Sequence, residues 1–355
     1  MHIALKQLRL FNKSKTPSKK LEYFNALAKY TVNITDQKNR LALNFINKGI
    51  SILSEIPDAP YYEQYLILSR YAFFQTVHRC NYALSTTIWK KIIEIRIKNG
   101  ILSDLDNAYS QLMINNFFAG HFDRALNNYK KVQELTLDNK TRFLYNMAFW
   151  SSLTYLILGN IDEFKKQIVI ARNGRHYDPW FRTIRFYCMA YYHLYKKNYY
   201  NAFISFKRLL MYYERIPATP VIADTGLLMT CSKAEHYGHL SENDYNNIRK
   251  WINIKRHNQS YNHWSFQIHA LTLARFTDKD FGIDPYAVVP ADCPNAFLKQ
   301  KMYVEKIKFL DHKKINDQAD QLRTEYIAYR KKLELNIPYE HLQSFRDTPL
   351  FPVPT

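Results

Sequence analysis

The chain has 355 residues, of which 47% are hydrophobic and only 8 are glycine, so it can bury a large core but offers few of the tight turns that sheets need. Lys and Arg total 50 against 31 Asp and Glu, and the formal charge of +19 predicts attraction to polyanions or acidic partners. A coding sequence rich in A and T, which favours Lys, Asn, Ile and Tyr, would raise the charge as well, and both interpretations stay open. We expect an all-α protein.

Cysteine spacing and hydropathy predict a soluble, cytoplasmic protein. The four cysteines are spread along the chain: Cys80, Cys188, Cys231 and Cys293. Without a CxxC pair they favour a reducing compartment over a disulfide scaffold or a thiolate zinc site. Lys6 and Arg9 interrupt the first apolar stretch, so it lacks a secretory core. No apolar run reaches the roughly 18 residues of a membrane span.

In chain order, the first region is an N-terminal helical pair within residues 1–60. Residues 20–31 and 36–54 predict its two helices, and Pro57 and Pro60 end the second, because proline cannot continue a helix.

Residues 61–216 repeat one unit. A turn recurs at Cys80, Gly120, Gly159 and Lys197, with offsets of 40, 39 and 38 residues. At each turn a first helix ends, and an aromatic residue or Ile follows two positions later, where we expect it to pack back between the helices. These intervals predict antiparallel helix pairs, each too small to bury its apolar face alone.

The second helix of each unit places its apolar residues on one face, through spacings of four and three. In the copy at Gly120 these residues are Phe122, Ala125, Tyr129 and Val132. The equivalent residues elsewhere are Phe164 in the copy at Gly159 and Ala202, Phe206 and Leu209 in the copy at Lys197.

On these positions the unit resembles the tetratricopeptide repeat (TPR), and in the copy at Lys197 the first helix fits as well, through Phe186 and Ala190. The Leu-Gly pair of the first helix is missing in every copy, and the period of 38–40 exceeds the family's period of about 34. The resemblance implies helix pairs stacked into a TPR-like right-handed superhelix, an α-solenoid, with a concave groove.

Residues 217–340 predict a C-terminal helical region after the break at 215–220. One helix should end near Gly238, and the next should begin with Ser241 as its N-cap. The loop at 282–296 carries three prolines, and one long helix is expected over 296–334. Residues 341–355 predict an extended tail.

Motifs for catalysis or cofactor binding are absent from the sequence. There is no GxxxxGK, GxGxxG, HExxH or GxSxG segment, so we expect no cofactor, no metal and no enzyme of those classes. Five histidines fall in one region with Cys231: His236, His239, His257, His263 and His269. Their spacing matches no closed zinc site, and surface or hydrogen-bonded histidines are the simpler interpretation.

One pair resembles the Arg-x(4–6)-His signature of HEPN ribonucleases. In "RHNQSYNH", Arg256 precedes His263, and the resemblance implies an Arg that stabilises phosphate and a His that acts as acid and base. In a chain with this many arginines and histidines such a pair arises easily by chance, so a metal-independent ribonuclease stays the least favoured alternative.

The TPR resemblance assigns a binding groove to the first helices of the units. Its residues would be Asn107, Gln111, Phe118, Asn146, Phe149, Trp150, Tyr187, Tyr191 and Tyr195. Asn side chains suit peptide amides, and aromatic rings suit side chains. We expect a non-enzymatic scaffold that binds a peptide or partner protein. The alternative is a basic repeat protein that stacks RNA or single-stranded bases on these tyrosines, and the commoner role of such a stripe is core packing.

Overall fold

The computed structural model describes residues 16, 19, 39–55, 61–137, 141–176, 183–213, 220–252 and 261–347. Within these ranges there is no strand, and the all-α prediction is confirmed. In chain order the α-helices are α1 (Asn39–Glu55), α2 (Tyr61–His78), α3 (Tyr82–Lys98), α4 (Leu105–Ala119), α5 (Phe122–Leu135), α6 (Arg142–Ile157), α7 (Ile161–Arg172), α8 (Ile184–Tyr195), α9 (Tyr199–Tyr213), α10 (Pro220–Tyr237), α11 (Glu242–Ile252), α12 (Tyr261–Leu273), α13 (Ala296–His312), α14 (Asn316–Glu334) and α15 (Leu342–Arg346).

The four predicted turns are present and share one backbone conformation. Cys80, Gly120, Gly159 and Lys197 have φ of 50°, 82°, 75° and 53°, the left-handed region. At Gly120 the His121 amide donates to the Asn116 carbonyl at 2.9 Å and closes the end of α4. The turns at Gly159 and Lys197 carry the same bond.

A fifth turn of this type joins α13 to α14. Lys314 has φ of 59°, and the Ile315 amide donates to the Leu310 carbonyl at 2.9 Å, as the corresponding groups do after Gly120. Ala319, five residues after the turn like Ala125, is fully buried. The single helix expected over 296–334 is therefore wrong: the left-handed residue reverses the chain and makes a hairpin.

The apolar face of the second helices forms the core, as the spacing predicts. Phe122, Ala125 and Val132 are inaccessible, and Tyr129 is 2% exposed and donates its hydroxyl to the Gln167 Oε1 of α7 at 2.7 Å. Sequence neighbours pack together along the chain, and α4 also contacts α6, which contacts α8. A right-handed superhelix stays a prediction.

The C-terminal helices share one core with the repeat units. A single cluster of buried side chains runs from Cys80 to Phe345 and includes Phe297 of α13 and Tyr326 of α14. Helices α13 and α14 approach the repeat units closely at Gly120, where a Cβ would lie 2.9 Å from the Cβ of Ala296 and 2.7 Å from Leu333.

The remaining C-terminal predictions divide. Gly238 ends α10, and Ser241 and Asp244 bond reciprocally at the start of α11, both as expected. The loop at 282–296 is present, with two short 3₁₀ turns. The tail at 341–355 was expected to be extended, but it begins with α15, and 348–355 lie outside the described residues.

At the N-terminal end, α1 matches the second helix of the predicted pair, and residues 20–31 lie outside the described ranges. Among the helices that the structure describes, none combines the length and apolar composition of a membrane crossing.

Candidate functional site

Five of the nine predicted groove residues form a partly exposed row across three neighbouring helices. Asn107 and Gln111 lie one turn apart on α4, Asn146 and Trp150 one turn apart on α6, and Tyr187 lies on α8. The spacing of four explains the row, because residues one helical turn apart share a face. We call these five residues the inner row; it contains two aromatic rings and three side-chain amides, of which that of Asn107 donates to the Tyr65 hydroxyl at 3.2 Å.

The other four predicted groove residues are buried. Phe118 is 9% exposed, and Phe149, Tyr191 and Tyr195 are less exposed. Phe149 lies edge-on to Tyr187, with ring centres 5.6 Å apart, so its ring supports the inner row from within. These four side chains pack as core, which is the commoner role of an aromatic stripe.

Helix α13 packs against aromatic residues of α4 and α8. Phe297 places its ring 5.9 Å from that of Phe117 on α4 and 6.0 Å from that of Tyr191 on α8. Just before α13, the Asn295 amide donates to the Tyr82 hydroxyl at 3.1 Å. The Tyr191 ring is therefore covered by α13, and the five residues of the inner row are the partly exposed ones among the predicted groove residues.

A buried polar cluster lies beside the inner row. Asp224 of α10 accepts a hydrogen bond from Ser265 at 2.5 Å and lies 2.8 Å from Nε2 of His269, both on α12. Burial by itself would raise the pKa of Asp224, but His269 and Ser265 outweigh it and hold the pKa below its ordinary value. The carboxylate is therefore ionised, and its Oδ1 bonds to both side chains of α12.

Cys231 completes an arrangement that resembles a thiol catalytic site without its chemistry. Its Sγ lies 3.9 Å from Nδ1 of His269, which in turn meets Asp224. Burial raises the pKa of the Cys231 thiol, so it stays protonated and unreactive. Nothing in this geometry supplies a thiolate nucleophile.

A network of ion pairs ties α13 to α10 and α12. Arg275 pairs with Glu235 and, at 2.8 Å, with Glu305 of α13. Glu305 also accepts from Thr272 at 3.0 Å and Lys308 at 2.9 Å. Burial would raise the pKa of Glu305, but Lys308 and Arg275 lower it to about 2. The carboxylate therefore remains charged and holds three helices together.

The predicted ribonuclease pair and the histidine group lie only in part within the described residues. Arg256 and His257 lie outside the described residues, and His263 lies 3.0 Å from the amide of Gln267. His236 and His239 are exposed at the end of α10. Within the described ranges no group of three His, Cys, Asp or Glu side chains could hold a metal ion.

A cleft of about 590 Å³ lies between the end of α12, the loop after it and α13. Its aspartates are engaged within the protein. Asp278 pairs with Lys313 at 2.8 Å, and Asp280 and Asp284 accept loop amides. The three carboxylates therefore stabilise the loop.

The sequence indicates no role for Asp224, and it marks His269 only as one of several histidines. No local pattern pairs the two, because they lie on separate helices, α10 and α12, and meet only after folding. No model of a known protein family matches the chain, and no curated protein shows significant sequence similarity to it.

Proposed function

We propose that this protein is a non-enzymatic helical scaffold that holds an extended peptide, or a segment of a partner protein, along α4, α6 and α8. The observation that carries the proposal is the inner row, in which amide and aromatic side chains stay partly exposed on adjacent helices. If Trp150 and Tyr187 served only core packing, their rings would be buried. A surface that binds nothing would not need amide and aromatic side chains at equivalent positions of adjacent helices.

The chemistry of the row suits a peptide main chain. Asn and Gln side chains both donate and accept, so they can bond to the amide and carbonyl of one peptide unit. Trp150 and Tyr187 give apolar surface with limited side-chain freedom, which favours affinity.

A display library of random peptides tests this proposal. Wild-type protein should enrich a sequence consensus, and the double variant Gln111→Ala/Asn146→Ala should bind the enriched peptides about tenfold more weakly, since each lost hydrogen bond contributes roughly 0.5–1.5 kcal/mol. Neither side chain has a hydrogen-bond partner within the described residues, so their removal should leave the fold unchanged.

The matched control removes the same residue types from the outer helix. Asn127→Ala/Gln133→Ala on α5 should bind the enriched peptides like wild type. Equal binding by wild type and the inner-row variant, or the absence of any enriched peptide, would refute the groove.

A second candidate function is the binding of RNA or single-stranded nucleic acid, and one feature favours it. Basic pairs recur ten and eleven residues after three of the turns, on α3, α5 and α9: Lys90 and Lys91, Lys130 and Lys131, and Lys207 and Arg208. All six are exposed, and of these only Lys131 forms an ion pair within the described residues, with Glu134. Equivalent positions would bring dispersed charges onto one outer face.

Salt dependence separates the two candidates. If the outer face binds a phosphate backbone, affinity for single-stranded RNA should fall steeply with salt. Lys207→Gln/Arg208→Gln should flatten that slope, whereas Lys331→Gln/Lys332→Gln, an equal charge change on α14, should not. Weak binding with no difference between the two variants would mean that the positive charge reflects amino-acid composition and not a nucleic-acid site.

A further inference from the structure

Lys301 is a cation inside the protein and has no hydrogen-bond acceptor among the residues that the structure describes. It lies on α13, and its Nζ is 5.4 Å from the ring centre of Tyr191 and 5.9 Å from that of Phe297. Within the described residues its amine makes no hydrogen bond and no ion pair, although the residue is only partly exposed. An ammonium group in such a place normally has a partner, because it carries three donors and loses hydration.

Both nearby carboxylates have other partners, although Oδ2 of Asp224 accepts no hydrogen bond within the described residues. Asp224 is bonded to Ser265 and His269, and Glu305 accepts from Thr272, Arg275 and Lys308. Both attract Lys301 through space, but burial outweighs them and lowers the pKa of its amine. The local charges thus hold an ammonium in position without giving it a hydrogen-bonded counterion.

Lys306, on the same helix, shows how this protein satisfies a structural lysine. Its Nζ donates to the carbonyls of Pro285 at 2.6 Å and Tyr286 at 2.9 Å, and so ties the loop to α13. Lys299 likewise donates to the carbonyl of Ala291 at 2.8 Å. Lys301 has no comparable bond, so loop anchoring does not explain it.

The position of Lys301 connects it to the inner row. Tyr187, the last member of the row, donates its hydroxyl to that of Tyr191 at 3.4 Å, and the Tyr191 ring faces the Lys301 amine. A ligand that follows the row past Tyr187 therefore approaches a positive charge in a poorly hydrated place, where a charge-assisted hydrogen bond is strong.

We propose that Lys301 binds a carboxylate, the C-terminal carboxylate of the peptide that lies along the inner row. This proposal rests on the proposed function. A singly charged carboxylate matches one ammonium, whereas Asp224 and Glu305 would repel a doubly charged phosphate. Lysine also suits a point charge, since two-pronged recognition of phosphate favours arginine.

A pool of short random peptides in two forms tests the assignment, one form with a free C-terminal carboxylate and the other with a C-terminal amide. Wild-type protein should retain the carboxylate form at least about tenfold better than the amide form. Lys301→Met should abolish the preference, and Lys299→Met, the matched control on the same helix, should keep it.

Thermal unfolding separates ligand binding from a structural role. Without a bonded partner to lose, Lys301→Met should keep its Tm within about 3 °C of wild type or raise it. Lys306→Met should lower Tm, because two loop carbonyls lose their donor. A Tm for Lys301→Met as low as that of Lys306→Met would make Lys301 structural and overturn the proposal.

The arms also distinguish the two proposals. If wild type retains both forms equally, the peptide groove stands and the carboxylate assignment is overturned. If it retains neither, the groove fails, and a mixture of N-acetylated amino acids then decides. Retention by wild type but not by Lys301→Met would identify a site for small carboxylic acids, and no retention would overturn the carboxylate site.

Discussion

The hairpins α4–α5 and α13–α14 share one turn but differ in what surrounds them. Both place a left-handed residue after the first helix, Gly120 or Lys314, and both bury an alanine five residues later. Yet only the first is recognisable in the sequence. The backbone motif therefore depends on the turn and on a small residue at the helix crossing. The residue types at the other positions depend on which helices pack against them.

The residues at several positions of the second hairpin explain why its sequence does not show the repeat pattern. Arg323 takes the place that Tyr129 has in α5, and it pairs with Asp311 of α13 at 2.7 Å instead of entering the core. Asn316 replaces the aromatic residue after the turn. Helix α13 itself is buried on most sides, between α4, α12 and α14, so it shows no single apolar stripe.

The buried charge on α13 is the sharpest difference between the two hairpins, and its removal should have one of the two largest effects. Glu305→Gln should lower the free energy of unfolding at neutral pH by about 3 kcal/mol, because Lys308 loses its carboxylate partner and Arg275 keeps only Glu235. Chemical denaturation of both proteins at neutral pH measures the change.

The pH dependence gives an independent check on Glu305. Its folded pKa of about 2 lies below the ordinary 4.5, so its stabilisation is complete above about pH 4.5 and is lost as the pH falls towards 2. The gap between wild type and Glu305→Gln should close over that range. Glu334→Gln, which removes a pair with the half-exposed Arg346, should cost less than about 1 kcal/mol.

The turn of the first hairpin should be less tolerant than an open turn. Gly120→Ala should destabilise by about 3 kcal/mol, from a left-handed side chain and from a Cβ that meets Ala296 and Leu333. Gly100→Ala, where φ is 67° and no atom lies within 4 Å, should cost only about 1 kcal/mol. Equal losses in denaturant unfolding would mean that α13 and α14 do not press on this turn.

The turn of the second hairpin should show a small effect of opposite sign. Lys314→Gly should raise the free energy of unfolding by about 0.5 kcal/mol, because an exposed lysine gives up its left-handed strain. His312→Gly, at the last residue of α13, should instead lower it by about 0.5–1 kcal/mol. A loss for Lys314→Gly as large as that for His312→Gly would contradict the shared turn.

The sequence predicted the repeated turns well because each depends on a few adjacent residues. Gly120 and Gly159 allow left-handed geometry, and the apolar spacing after them predicts Phe122, Ala125 and Val132 as core. The inner row was predicted in part: Asn107 and Tyr187 stay partly exposed, but Tyr191 is buried against Phe297 of α13, a helix more than 100 residues away in the chain. No local pattern carries that information.

By itself, the sequence determined the helical class, the hairpin boundaries over residues 61–213 and the inward face of each second helix, since turn conformation and helical period are local properties. Only the tertiary structure decided that α13 closes over the aromatic stripe, that α13 and α14 repeat the same hairpin, and that Asp224 and Glu305 lie near enough to attract Lys301 through space. Those features depend on contacts between distant helices, where burial and charge pairing are shared among residues that no short segment contains.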